Sequence, residues 1–111
     1  MIEAVALAAV LAAGDPLRGK EIYARCLACH ALAYDRVGPR HCGLLGRRAG
    51  SVPGFAYSGA MKNSGIVWSA ATLKSYVMDP NGVVPASNMM FTGIHNPLQA
   101  EDVAAYLATL K

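Results

Sequence analysis

Apolar positions fall into helical register in three stretches of the chain, with irregular sequence between them. Asp15 can cap a helix whose first position is Pro16, where the missing amide hydrogen costs nothing. Gly19, Ile22, Tyr23 and Cys26 then recur at helical spacing, which predicts a helix to about Cys26 with a glycine set into its packing face. Such a glycine permits a close helix crossing. Residues Ala31 to Gly54 are rich in Gly, Pro and Arg and show neither helical nor strand periodicity, so they predict a long ordered loop. A loop of that length needs something to wrap around. A short helix is expected over Ser58 to Asn63. A longer one has Ser69 as cap and Leu73, Tyr76 and Val77 on one face, and stops before Pro80. A second loop, Asn81 to His95, leads to the clearest helix. There Asn96, Pro97 and Gln99 form a start signal, and Val103, Tyr106, Leu107 and Leu110 make one apolar stripe. This last helix should pack on the first. With no internal repeat and no alternating strand pattern, the fold class is all-α: a few helices held around loops.

The chain has 111 residues, enough for one compact domain and too few for two independent cores. The apolar run Val5 to Ala13 is shorter than the roughly 20 residues a membrane span requires. It suits a signal-peptide core, with Ala12-Ala13-Gly14 offering small residues for cleavage, although the usual basic start is missing. Residues 1–14 are therefore expected to be a signal peptide or an uncleaved hydrophobic extension, and 15–111 the functional domain. The first option implies export to a bacterial periplasm.

Ten Lys and Arg against seven Asp and Glu give a formal charge of +3. A mild basic bias suits acidic protein surfaces or anionic headgroups. Nucleic acid is not indicated, because the arginines are scattered and no basic stripe alternates with aromatics. Gly14 to Glu21 partly imitates a phosphate-binding loop, but Glu21 stands where a hydroxyl should hold magnesium and no strand precedes it.

The chemistry is concentrated in Cys26-Leu27-Ala28-Cys29-His30, a C-x-x-C-H sequence and the attachment signature of c-type haem. Two thiols can add to the vinyl groups at one porphyrin edge, and the adjacent imidazole can ligate the iron. A redox dithiol would require a strand-turn-helix context, and a zinc site a second ligand pair. The adjacent His41 and Cys42 do not supply one. For the sixth iron ligand the candidates are the methionines, His41 and His95, and spacing alone does not choose among them. A loop methionine is attractive because thioether ligation favours ferrous iron, and Met89 and Met90 both lie in the second loop.

Beyond this motif the chain resembles class I cytochrome c, of the mitochondrial type and its soluble bacterial relatives. The resemblance runs from Gly19 to Leu110. It is carried by Cys26 to His30, Val37-Gly38-Pro39, Gly43 to Arg48, Pro53 to Tyr57, Gly65 to Trp68, Leu73 to Tyr76 and Pro85 to Phe91. It implies one covalent haem c with His30 and Met89 as axial ligands, Met90 being left to packing. It further implies that Pro39 buttresses His30, that Tyr57, Trp68 and Arg47 serve one haem propionate, that Ser87 reaches the other, and that Tyr76 lies beside Met89. The implied function is monomeric one-electron transport, without catalysis or a small-molecule substrate. Membrane redox complexes would dock at the exposed haem edge, in respiration or photosynthesis.

Several positions depart from the family pattern. Asn88 replaces a usual lysine, so the basic ring around the haem edge is thinner, with Arg25, Arg36, Arg40, Lys62 and Lys74 left to supply it. Met61 stands where a buried asparagine is common and should make the pocket drier. Cys42 replaces a bracing histidine and is expected to be a small buried filler. His41 occupies a place usually apolar.

Overall fold

The structure, a computed structural model, describes residues 14–111; the expected signal or extension lies outside the described residues except for Gly14. Five α-helices follow in chain order: α1 Pro16–Tyr23, α2 Gly59–Lys62, α3 Ala70–Met78, α4 Pro80–Val83 and α5 Pro97–Ala108. The all-α class is the one observed. Among the described residues the only β pairing is an isolated antiparallel bridge between Arg48 and Val67. No helix among them is long and apolar enough to cross a membrane.

The helix starts follow from their caps. Asp15 accepts from the Leu17 amide, Ser58 from Met61, and Asn96 from Leu98 and Gln99. Ser69 and Thr72 close a reciprocal capping box at α3. Two boundaries differ from expectation. The first helix tightens into a 3₁₀ turn over Ala24–Cys26, immediately before the cysteine motif. The second loop opens with α4, because the Asp79 carboxylate accepts from the Gly82 amide and Pro80 is pre-set for a first helical position.

α1 crosses α5 at Gly19. A Cβ there would collide with the Asp102 carbonyl oxygen and stand 2.5 Å from its carbon, so only glycine allows the approach. Asp102, 7% exposed, fastens the joint by accepting from the Asp15 amide at 2.7 Å and from Arg18 at 3.3 Å. Lys74 on α3 donates to Glu101 on α5 at 2.6 Å. The three helices enclose Tyr23, Leu73, Tyr76, Val77, Val103 and Leu107, and the loops add Leu44, Trp68, Val84 and Ile94. The long loop is held by the segment before α3, with Gly46 donating to the Trp68 carbonyl and Trp68 to that of Arg47. These loops surround a cavity of about 450 Å³.

Candidate functional site

The cysteine motif continues the helical path of α1. The amides of Cys29 and His30 both donate to the Cys26 carbonyl, at 3.2 and 2.9 Å. Positions three and four apart lie on one face of such a turn. Cys26, Cys29 and His30 all line the cavity, Cys29 exposed at its rim and His30 buried. Burial pushes the Cys26 thiol up to about 11, against the pull of Arg25. It is therefore a neutral thiol at physiological pH.

The neighbours of His30 fix its ring and leave one nitrogen free to bind. Its Nδ1 lies 2.8 Å from the Pro39 carbonyl oxygen, which can only accept, so the neutral ring carries its proton on Nδ1 and leaves the Nε2 lone pair free. Burial lowers the pKa of His30, the Pro39 bond opposing and Arg36 adding to the fall. Gly38 presses its backbone against the ring: a Cβ would stand 2.5 Å from Nε2 and 2.6 Å from Nδ1. Gly38 lies within a stretch that carried the family resemblance, yet its service to His30 had no signal apart from being glycine.

The facing loop is tied to α3. The Tyr76 hydroxyl lies 3.1 Å from Ser87 Oγ, which accepts from the Met89 amide at 3.2 Å. Met89 is half-buried, lines the cavity and packs on the core. Met90, expected to be packing, is 98% exposed at the cavity edge: neighbours in an extended segment point to opposite sides, so seating Met89 turns Met90 to solvent. Ser87 Oγ is occupied within the chain by Tyr76 and Met89.

Pro39, Arg47, Tyr57, Trp68, Tyr76 and Ser87 line the same cavity. The Arg47 guanidinium clamps the long loop, donating to the Arg40 and Cys42 carbonyls at 2.7 Å each. Tyr57 accepts from the Val52 amide at 3.1 Å and keeps its own proton to donate, its pKa raised by burial. Trp68, buried in the core and on the cavity wall, carries an indole N–H that can only donate. A carboxylate in the cavity would thus find donors in Trp68 and Tyr57, beside the Arg47 charge.

The sequence offered His41 as one candidate for the sixth iron ligand and, once the resemblance selected Met89, assigned it nothing else. Its Nδ1 lies 2.7 Å from the Tyr23 hydroxyl, and its ring stacks on His30 at a centroid distance of 4.0 Å and 24°. Burial, with His30 and Arg47 adding, holds its pKa down at about 3. Met61 is half-buried against the core and the cavity. Cys42, expected to be buried, is only half so, because its loop lies at the surface. The cations expected to serve docking are partly engaged: Lys74 with Glu101, Arg40 with Asp35, and Arg36 with the Leu27 carbonyl. Arg25 and Lys62 have no ion pair among the described residues.

The residues fit an iron porphyrin. The cavity is mostly apolar, with paired thiols at one edge, a free imidazole lone pair, a thioether, and donors suited to a carboxylate. Fold and site together define a helical protein built around a covalently held haem. Residues 17–111 match the cytochrome c family. The chain is 47% identical over 105 residues to cytochrome c2 of Rhodomicrobium vannielii, spanning 92% of this chain and 84% of that one. It is 42% identical to cytochrome c-550 of Bradyrhizobium diazoefficiens, over 81% of this chain and 68% of that one. Among solved structures, cytochrome cH from Methylobacterium extorquens superposes with a TM-score of 0.84 at 41% identity, covering 86% of this chain and 99% of that one. Ferricytochrome c2 from Rhodopseudomonas palustris gives 0.82 at 36% identity, over 87% and 99%. The chain belongs to the cytochrome c family, whose members bind covalent haem c and transfer electrons.

Proposed function

We propose that this protein is a monomeric, periplasmic, single-haem carrier that takes one electron from a cytochrome bc-type complex and delivers it to an oxidase or a photosynthetic reaction centre. The observation that carries this reading is the meeting of His30 and Met89 on one cavity whose rim holds Cys26 and Cys29. When bound there, the haem supplies the one-electron chemistry. Cys26 and Cys29 would anchor it, and the Nε2 of His30 and the thioether of Met89 would complete the iron's ligands. No coordination position then remains for a substrate, which is why the function is transport and not catalysis. The mostly apolar lining would shield the haem from water, while the Pro39 carbonyl and the Tyr76–Ser87 pair hold the His30 ring and the Met89 segment in place. Little has to move between redox states, and reorganisation stays small. The rim exposed at Cys29 is the exit for the electron and the face that partners would meet.

A redox titration of the natively matured protein, followed by absorbance, tests the assignment. A reversible one-electron transition is expected, with low-spin spectra and a weak near-infrared sulfur-to-iron band in the ferric form. Met89→Ala should abolish that band. A high-spin parent that binds peroxide or nitric oxide would overturn the carrier in favour of an enzyme or a gas sensor.

A further inference from the structure

The surroundings of His30 contain one group that haem attachment does not require. His41 comes from the same loop as Pro39 and lays its ring on His30, with centroids 4.0 Å apart and planes inclined by 24°. This is a face contact. The ring is itself anchored: its Nδ1 lies 2.7 Å from the hydroxyl of Tyr23, a residue 2% exposed at the end of α1. Tyr23 in turn packs against Tyr106 of α5, with ring centroids 5.2 Å apart. A chain of contacts therefore runs from the α1–α5 crossing through Tyr23 and His41 to the imidazole that faces the cavity.

We propose that His41 is a positioning residue that, anchored by Tyr23, fixes the plane of the His30 imidazole toward the haem. The Pro39 carbonyl holds one edge of His30 by a single hydrogen bond. A lone bond of that kind tolerates rotation of the ring by tens of degrees before it weakens steeply. A flat neighbour at van der Waals distance does not, because turning the ring drives its atoms into the face beside it. Gly38 adds a backbone wall that a side chain could not replace. The orientation of an axial imidazole decides which iron d orbital is raised, so what is held here reaches the unpaired electron of the ferric state. If His41 merely filled space and satisfied Tyr23, its loss would lower stability and leave that electron's distribution alone.

The test uses the holoprotein, oxidised, with proton NMR of the haem-methyl resonances, whose spread depends on the axial imidazole plane together with the thioether, read beside NOEs from the His30 ring protons to the haem, which report the imidazole plane alone. His41→Leu removes the stacked ring. Tyr23→Phe keeps an aromatic core but removes the anchor. Ile94→Val, in a buried residue that does not line the cavity, lowers stability without touching His30. The expected result is a redistributed methyl pattern in His41→Leu, a smaller change in the same direction in Tyr23→Phe, and the parent pattern in Ile94→Val. A parent pattern in both His41→Leu and Tyr23→Phe overturns the proposal. If His41→Leu does not fold, Tyr23→Phe decides alone: a moved pattern supports the assignment, an unmoved one overturns it. The inference rests on His30 ligating the iron, which the parent's low-spin spectrum tests separately. Loss of that spectrum fails both proposals, whereas an unmoved methyl pattern beneath it fails only this one.

Discussion

At the scale of single residues, the space beside His30 is tightly constrained. Gly38→Ala places a methyl group inside the imidazole's van der Waals envelope, so either the ring or the Pro39 loop must move. It is expected to cost about 1–3 kcal/mol in chemical denaturation of the holoprotein, with weakening of the low-spin spectrum at lower denaturant than the parent. Met61→Asn brings a polar amide to the cavity wall and so favours the more highly charged ferric state; the midpoint potential should fall. An unchanged potential would mean that the Met61 side chain has no effect on the haem's surroundings. The tyrosines define an alkaline limit. Burial raises the pKa values of Tyr23, Tyr57 and Tyr76 above the ordinary 10. The unfolded chain releases these protons first, so their contribution to stability is intact below pH 10 and is lost as pH rises through the folded-state values. An ultraviolet tyrosinate titration followed beside circular dichroism should show these ionisations accompanying loss of structure. Ionisation at the ordinary value in an intact fold would contradict the burial.

At the scale of elements, the helices depend on caps and on one crossing. Removing the Asn96 cap with alanine should cost about 1 kcal/mol. Gly19→Ala forces a methyl group into the backbone of α5 and should cost more, about 3 kcal/mol by thermal or chemical unfolding. These elements were legible because a cap, a proline and an apolar stripe are local signals: Asp15, Ser69 and Asn96 each stand where the sequence suggests. The one-turn α4 was not legible, since its start depends on how the Asp79 carboxylate folds back after α3 has ended. The long loop could be recognised as ordered, but its bonds from Gly46 and Arg47 join partners that no periodicity relates. Cys26, Cys29 and His30 announce their chemistry by spacing alone. Met89 was separated from Met90 only by resemblance, and the structure adds the reason: Tyr76 and Ser87 pin the loop with Met89 on the inner side. His41 was opaque because its meaning lies in a ring eleven residues away and a phenol on another element.

At the scale of the whole molecule, charge and shape govern encounter. The formal charge of +3 is modest, and several cations near the site are tied within the chain. Electron transfer to an acidic partner should therefore slow as salt is added, but less steeply than for a relative with a full lysine ring; stopped-flow rates across ionic strength measure the slope. Arg25→Gln should flatten it further, since Arg25 borders the cavity without an ion pair among the described residues. The other consequence at this scale comes from the segment leading to Met89. Ala86 sits at φ 62°, a left-handed turn that costs an alanine about 1–2 kcal/mol relative to its preferred conformations. The protein thus keeps a bent spring three residues before its thioether, and tight packing of Val84 behind it stops the spring from opening. A glycine at 86 would relax it and lift the melting temperature, offset in part by the greater freedom of the unfolded chain. The same exchange would let the segment swing more easily, so under the proposed ligation the sturdier protein would be the one that lets go of its methionine sooner.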